Sequence, residues 1–417
     1  MRLFRIYIYL SVYNFLKSLL SPKVKDKKIS KIITKMSKKK YFIPTSQLRV
    51  GFIILLKYLK KNETKRKEII VQPFNLPEMV NIVKNLNFDI KFSKINLDTG
   101  EPDLKSLKTL INKKTLAIVL TNIFSSPSLI LKVRELCKKK KIYLIEDNAI
   151  YFDNFFIKKK LKTYSGSIGD YSLYSFNIMK NISGFYGGGV STNDLNFKKF
   201  ALREISSYKN FSFNILIKQI IIFIVLKFLL LKPLYFLYLK ILRYAHKKKR
   251  ISILKLVYPS LKFKKQKFPK YYFSKISNIS KIVVYNQLLD TKSRFQNHFR
   301  RKMNNSYYTK LFEKLKIKNV KLLKVEDTNF QNFMDYPILV KNKENLNNYL
   351  LSRGIETKQI FYHDCANIFL KKNYKSIREN SKYFTNSIIG LPNHPKVSKK
   401  YMELILKEIK NFYEIRF

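Results

Sequence analysis

From Thr45 onward, short apolar runs alternate with lysine-edged amphipathic stretches, and this alternation predicts strands and helices in turn. GFIILLKYLKK has helical spacing, EIIVQPF (68–74) has the form of a strand closed by a turn at Pro73, and 77–87 returns to a helical pattern before the strand-like FDIKFSKI. Pro102 and Asp103 open a short helix to about Ile111. LAIVLTN (116–122) then predicts a buried strand, LKVRELCKKK a helix and IYLIED the next strand. Runs that are apolar throughout suit strands buried on both faces, so the pattern predicts a mainly parallel sheet covered by helices. Ligands of such sheets sit beyond the carboxyl ends of the strands, and Asp147 lies at one of those ends.

The flanking regions follow other patterns. Residues 1–20 are apolar and aromatic with basic residues at 2, 5 and 17; the uncharged run from Ile6 to Leu16 is too short to span a bilayer, and an amphipathic helix on the protein or a membrane interface fits it. Residues 22–41 are lysine-rich and carry little chemistry. The most hydrophobic part of the chain is 213–243, where lysines at 218, 227, 232 and 240 interrupt the run and Pro233 divides it into two helical pieces. Lysines at the middle of a bilayer are costly. The pieces therefore suit either a hairpin packed on protein or a pair lying in the membrane interface. A basic loop (247–270) follows, then helix-like sequence from about Ser280 to Leu315, the strand-like YPILV (336–340), a helix around NLNNYLLSRGIE, a turn at Gly390–Pro392 and a last helix, KKYMELILKEIKNFY. The expected division is an N-terminal helical segment (1–44), a large domain (45–204), an apolar helical insertion with its basic loop (205–270) and a smaller C-terminal α/β domain (271–417).

Composition adjusts this picture modestly. A chain of 417 residues with 46% hydrophobic and 27% charged residues has the balance of an ordered protein with a large core. Its net charge of +57 suggests nucleic acid or an anionic surface as a partner. The basic residues are spread along the chain, however, in a background rich in Lys, Asn, Ile, Phe and Tyr, as a coding sequence rich in A and T produces. No nucleic-acid-binding motif accompanies the charge. The two cysteines, Cys137 and Cys365, and the four histidines match no metal-ligand spacing or disulfide framework, which makes a reducing cytoplasm the default.

The candidate chemistry lies in 141–192. Six of the ten glycines fall there, Gly166, Gly169, Gly184 and Gly187 to Gly189, in a chain that otherwise avoids the residue. A lysine that follows a strand and precedes a glycine-rich turn, as Lys180 does, can present its amine to an aldehyde. A carboxylate ending a neighbouring strand, as Asp147 does, can keep a pyridine nitrogen protonated. Ser175 and nearby amides can hold a phosphate. Each signal is weak alone; their order and spacing are more specific.

Glu146-Asp147-x-Ala149, then Gly166-x-x-Gly169-Asp170, then Ser175-Phe176-x-x-x-Lys180-Asn181 and a glycine-rich turn together resemble the DegT/DnrJ/EryC1/StrS family of sugar aminotransferases. The resemblance runs from about Thr45 to the end, apart from the 205–265 insertion. It implies an α/β, aspartate-aminotransferase-like (fold type I) large domain with a smaller C-terminal domain, and pyridoxal 5'-phosphate as cofactor. It further implies that Lys180 forms the Schiff base, that Asp147 pairs with the pyridine nitrogen and that Ser175 binds the phosphate. VQPFNLPEMVNIV (71–83) resembles the segment that sets an aromatic residue near the ring, which makes Phe74 a candidate, with Leu76 the alternative register. The chain also departs from the family. Ile150 stands where a glutamine is usual, and Gln47-Leu48-Arg49 replaces a glycine-containing phosphate loop. Phe273-Ser274-Lys275 replaces an Asn-x-Arg motif that serves the partner subunit, and Tyr186 stands where an acidic residue is common. Arg49 and Lys275 remain as cations toward phosphate.

The activity implied is transfer of an amino group, from glutamate by resemblance, to a nucleotide-linked keto sugar for surface polysaccharide, by a cytoplasmic homodimer; the sequence of 213–243 leaves open whether that segment contacts the membrane peripherally or packs on protein. The alternatives are another pyridoxal-dependent reaction on the same scaffold, such as dehydration, and a drifted, inactive homologue serving as a membrane-associated scaffold.

Overall fold

A computed structural model describes residues 5, 7–248, 250, 252–253, 268–359 and 362–416; most of the basic loop expected over 247–270 lies outside them. Seven strands build the main sheet: β1 (Tyr41–Thr45), β2 (Glu68–Val71), β3 (Asp89–Phe92), β4 (Thr115–Thr121), β5 (Tyr143–Asp147), β6 (Tyr171–Ser175) and β7 (Gly188–Thr192). Their spatial order is β1-β7-β6-β5-β4-β2-β3, and β7 alone runs against the rest. The apolar runs are the central strands, as the pattern predicts: Ile69, Leu116 to Leu120 and Leu144 are all buried, with helices on both sides.

The sheet begins within the lysine-rich stretch. Helix Asp26–Ser37 buries Ile29 and Ile33 against Phe42 and Tyr174, which carries the chain into β1 at Tyr41. β1 contains Pro44, which a central strand would not tolerate, but it pairs only with β7 at the sheet edge.

A second sheet is antiparallel, with β8 (Val320–Leu322), β9 (Asp335–Val340) and β10 (Ile388–Pro392) in that order. Gly390–Pro392 is therefore strand and not the expected turn. Helices Thr291–Leu315, Lys343–Ser352 and Lys399–Arg416 cover it with Phe312, Leu346 and Ile405 among the buried contacts. The helical run expected from Ser280 to Leu315 breaks at Asp290, whose carboxylate caps the second helix by accepting from the Ser293 amide. An aromatic cluster of Phe74, Phe124, Phe333 and Phe384 joins the two sheets' cores.

The 213–243 region forms helices Phe213–Leu229 and Lys232–Lys247, with Pro233 in the first turn of the second and a bend of 102° between them. No single helix among the described residues is long and apolar enough to cross a membrane.

Candidate active site

The carboxyl ends of β5 and β6 lie side by side, because β5 pairs in parallel with β6, Asp147 opposite Leu173. Asp147 is the last residue of β5 and only 3% exposed. One of its oxygens accepts from the Ala149 amide at 3.0 Å, which fixes the carboxylate beyond the strand end. Ser175 ends β6, buried and paired with Gly188 of β7.

Between β6 and β7 the chain makes a tight excursion that carries Lys180. The Phe176 amide donates to Gly187, closing the loop at its base, and the Gly184 amide donates to Phe176. The loop is clamped from outside as well. Gln287 accepts from the Ser183 amide at 3.2 Å and donates to its carbonyl at 2.7 Å, while Asn181 donates to the Phe152 carbonyl at 3.0 Å and accepts from Arg301 at 3.1 Å. Lys180 is thus held on both sides in a loop that would otherwise be free to move.

Lys180 and Asp147 share one electrostatic environment. Burial lowers the pKa of the Lys180 amine; the Asp147 charge opposes this, and Lys358 and Arg49 reinforce it. Burial raises the Asp147 carboxyl, against the Ala149 amide and the positive fields of Lys180 and Arg49. Lys358 comes from the C-terminal part of the chain, where its ammonium donates to Asp335 at 2.8 Å. Nothing in its local sequence marks it, and only the fold brings it here.

Arg49 lies in the first turn of helix Leu48–Asn62. Its guanidinium donates to the Tyr272 hydroxyl at 3.0 Å, a contact equally invisible in the sequence. Gln47 caps this helix without a side-chain hydrogen bond to it, and its buried amide nitrogen has no partner among the described residues. Open amides at a helix start, an arginine and an unpaired buried donor together favour an anion. Gly188 allows the approach: a Cβ there would run into the Leu48 amide nitrogen and the Tyr174 carbonyl.

The remaining candidates are placed as follows. Phe74 is enclosed by Phe124, Tyr362 and Phe384, with ring centroids 6.2, 5.5 and 5.1 Å away. Tyr362 lies within the electrostatic reach of Asp147. Ile150 is half-buried against the same cluster, and Lys275 is anchored by its amide on the Lys209 carbonyl at 2.9 Å.

Glu146 has a role that its pairing with Asp147 in sequence concealed. It faces away into the core, where its carboxylate accepts from the amides of Gly166, Ile168 and Gly169 at 3.1, 2.9 and 2.5 Å. Gly166 takes φ +84°, and a Cβ on it would collide with the Tyr174 hydroxyl. The Gly166–Gly169 turn is thus moulded around one carboxylate. Glu146→Ala should leave the buried Gly166 and Gly169 amides and the half-buried Ile168 amide unpaired and cost about 3 kcal/mol or more, read as a lower urea midpoint at unchanged slope.

These features coincide with a known family. The sequence profile of the DegT/DnrJ/EryC1/StrS aminotransferase family matches residues 24–213 and 256–410. The chain belongs to this family. It is 32% identical over 130 residues to GDP-perosamine synthase of Vibrio cholerae, which is 31% of this chain and 34% of that protein. The match spans about a third of the length of the curated relatives. The fold extends further. Helicobacter pylori PseC, an aminotransferase involved in the biosynthesis of pseudoaminic acid, superposes with a TM-score of 0.69 at 17% identity, over 100% of both chains. GDP-4-keto-6-deoxymannose-3-dehydratase with a trapped PLP-glutamate geminal diamine superposes with a TM-score of 0.69 at 16% identity, over 98% of this chain and 100% of that one.

The family's cofactor is pyridoxal phosphate, and the residues fit it. The depressed amine of Lys180 suits its aldehyde, the buried carboxylate of Asp147 its ring nitrogen, and the helix start with the unpaired Gln47 amide its phosphate.

Proposed function

We propose that this chain is a pyridoxal-phosphate-dependent aminotransferase that converts a nucleotide-linked keto sugar into an amino sugar for surface polysaccharide. The observation that carries the reading is the pairing of Lys180 and Asp147 in one buried field at the carboxyl end of the sheet.

In this reading Lys180 holds the cofactor's aldehyde carbon, and the lowering of its pKa by burial keeps more of the free amine unprotonated near neutral pH. With the cofactor and an amino donor bound, the freed Lys180 amine would serve as the base that takes up and returns the substrate proton. Asp147 would hold the cofactor's pyridine nitrogen in its protonated form. The bound cofactor supplies the electron sink for that proton transfer. Ser175, Arg49 and the amides opening helix Leu48–Asn62 hold the phosphate, Lys275 serves the phosphate site of the partner in a homodimer, and Phe74 with Tyr362 supports the ring from the aromatic cluster.

Glutamate as donor is supported by the PLP-glutamate geminal diamine trapped in the dehydratase neighbour, the keto sugar by the GDP-4-keto-6-deoxymannose in that neighbour's name, and the nucleotide-linked product by the likeness to GDP-perosamine synthase. The reaction is assigned to the cytoplasm, where nucleotide sugars are available. The lysine at position 180 favours transamination over dehydration.

Purified protein given pyridoxal phosphate should turn yellow, lose the colour with glutamate and regain it with a GDP- or UDP-linked 4-keto sugar. Borohydride should fix the cofactor's mass on a peptide containing Lys180. A protein that takes up no cofactor would favour the scaffold alternative, to which Ile150 and the glycine-free Gln47-Leu48-Arg49 point.

A further inference from the structure

Several stretches of the chain hold no acidic residue, and two of them bear on its surface. None occurs before Asp26, and none between Glu204 and Asp290, an interval with eighteen lysines and arginines. The fold packs these distant stretches together. The ring of Phe15, in helix Val12–Leu19, meets that of Phe223, in helix Phe213–Leu229, at 5.5 Å between centroids, and the Lys227 ammonium donates to the Ile8 carbonyl at 3.0 Å.

These inner contacts leave apolar outer faces. On helix Phe213–Leu229, Leu216 and Phe223 point inward, while Phe213, Ile217, Ile221, Ile224 and Phe228 are exposed. Spacings of four, four, three and four residues place those five on one side of the helix. On helix Lys232–Lys247, Tyr235, Leu239 and Leu242 are buried, and Leu234, Leu237, Ile241 and Tyr244 form the exposed stripe, with Lys240, Arg243 and Lys247 flanking it. Helix Val12–Leu19 repeats the arrangement, Phe15 inward and Val12, Leu16 and Leu19 outward. A protein that keeps these side chains in water without a partner would be exceptional.

Spanning a bilayer does not explain the face. Helix Phe213–Leu229 has 17 residues, and the helix after it turns away by 102°. At about 1.5 Å per residue the first reaches roughly 26 Å, short of a hydrocarbon core of about 30 Å. Pairing with a second copy through this face fits poorly too. A two-fold interface presses the same patch against itself, and here that would oppose cations with cations, since none of the three helices carries a carboxylate of its own. Nucleic acid would satisfy the cations but leave the apolar stripes uncovered.

We propose that helices Val12–Leu19, Phe213–Leu229 and Lys232–Lys247 form one binding face for an anionic lipid bilayer, lying in the plane of its surface. The apolar stripes enter the boundary between headgroups and acyl chains, and the flanking lysines and arginines meet lipid phosphates. This does not depend on the aminotransferase reading.

The test uses the full-length protein, saturated with pyridoxal phosphate, sedimented with vesicles of phosphatidylcholine alone or with about 30% phosphatidylglycerol. The bound fraction at limiting lipid should rise ~10-fold or more with the anionic lipid, and salt at about 0.5 M should reverse most of the gain. The triple variant Ile217→Glu, Ile221→Glu, Phe228→Glu alters only exposed positions. It should keep its solution mass and circular dichroism while losing ~10-fold or more of the binding. Equal binding to both kinds of vesicle overturns the proposal. So does a triple variant that still binds vesicles but falls to half its solution mass, which would make the face a subunit interface.

Discussion

Lys180→Ala should fold as the parent does, lose all cofactor that borohydride can fix, and fall by about four orders of magnitude or more in turnover with glutamate and a keto sugar. Covalent retention and proton transfer depend on the same amine, so both fail together. Folding should survive because the native state gains little from the charged lysine. Burial lowers its folded pKa below the unfolded value, so the unfolded chain binds more protons and stability rises with pH across the window between the two values. The variant should lack that slope and be at least as stable as the parent near neutral pH, measured by urea unfolding of the cofactor-free proteins. A small primary amine added to the variant should restore part of the proton-transfer rate without restoring trapping at position 180. A variant with turnover within tenfold of the parent would remove Lys180 from the chemistry.

The parts of this site legible in the sequence are those whose neighbours are close in the chain. Asp147 ends an apolar run that could only be a buried strand, and Ser175 and Lys180 are five residues apart across one strand end. Lys358 and Tyr272 are not legible in this way. They reach Lys180 and Arg49 through tertiary packing, and no local pattern distinguishes them from the many other lysines and tyrosines of this chain. The fold shows the same division. The central strands of the main sheet announce themselves by unbroken apolar runs, whereas β1 and β10 are edge strands and contain proline, and β9 carries Pro337 where only β10 pairs with it. Pro44 and Pro392 imply a break by local rules, and the sheet edges accommodate them because only one side of the strand must pair. Glu146 is a further residue whose role needs the fold: strand alternation turns it to the face opposite Asp147, where it organises the Gly166–Gly169 turn.

Asp147→Asn should separate activity from stability more sharply than any other single change. Asparagine keeps the shape and can still accept from the Ala149 amide, but it has no charge with which to hold a pyridine nitrogen protonated. Turnover should therefore fall by about two to four orders of magnitude, while borohydride still fixes the cofactor on Lys180. Stability of the cofactor-free protein should move the other way. Burial raises the Asp147 carboxyl above its unfolded value of about 3.9. The folded state then binds more protons than the unfolded one across that window, and the parent loses stability as pH rises from about 4 through the elevated folded value. Asparagine does not titrate, so the variant's advantage should be near its smallest at about pH 4 and reach about 1–3 kcal/mol at pH 8. Parallel urea melts at the two pH values measure it directly. Equal differences at both would mean that the carboxylate is not held against its preferred state, and with that the case for Asp147 as the partner of a ring nitrogen would lose its electrostatic support.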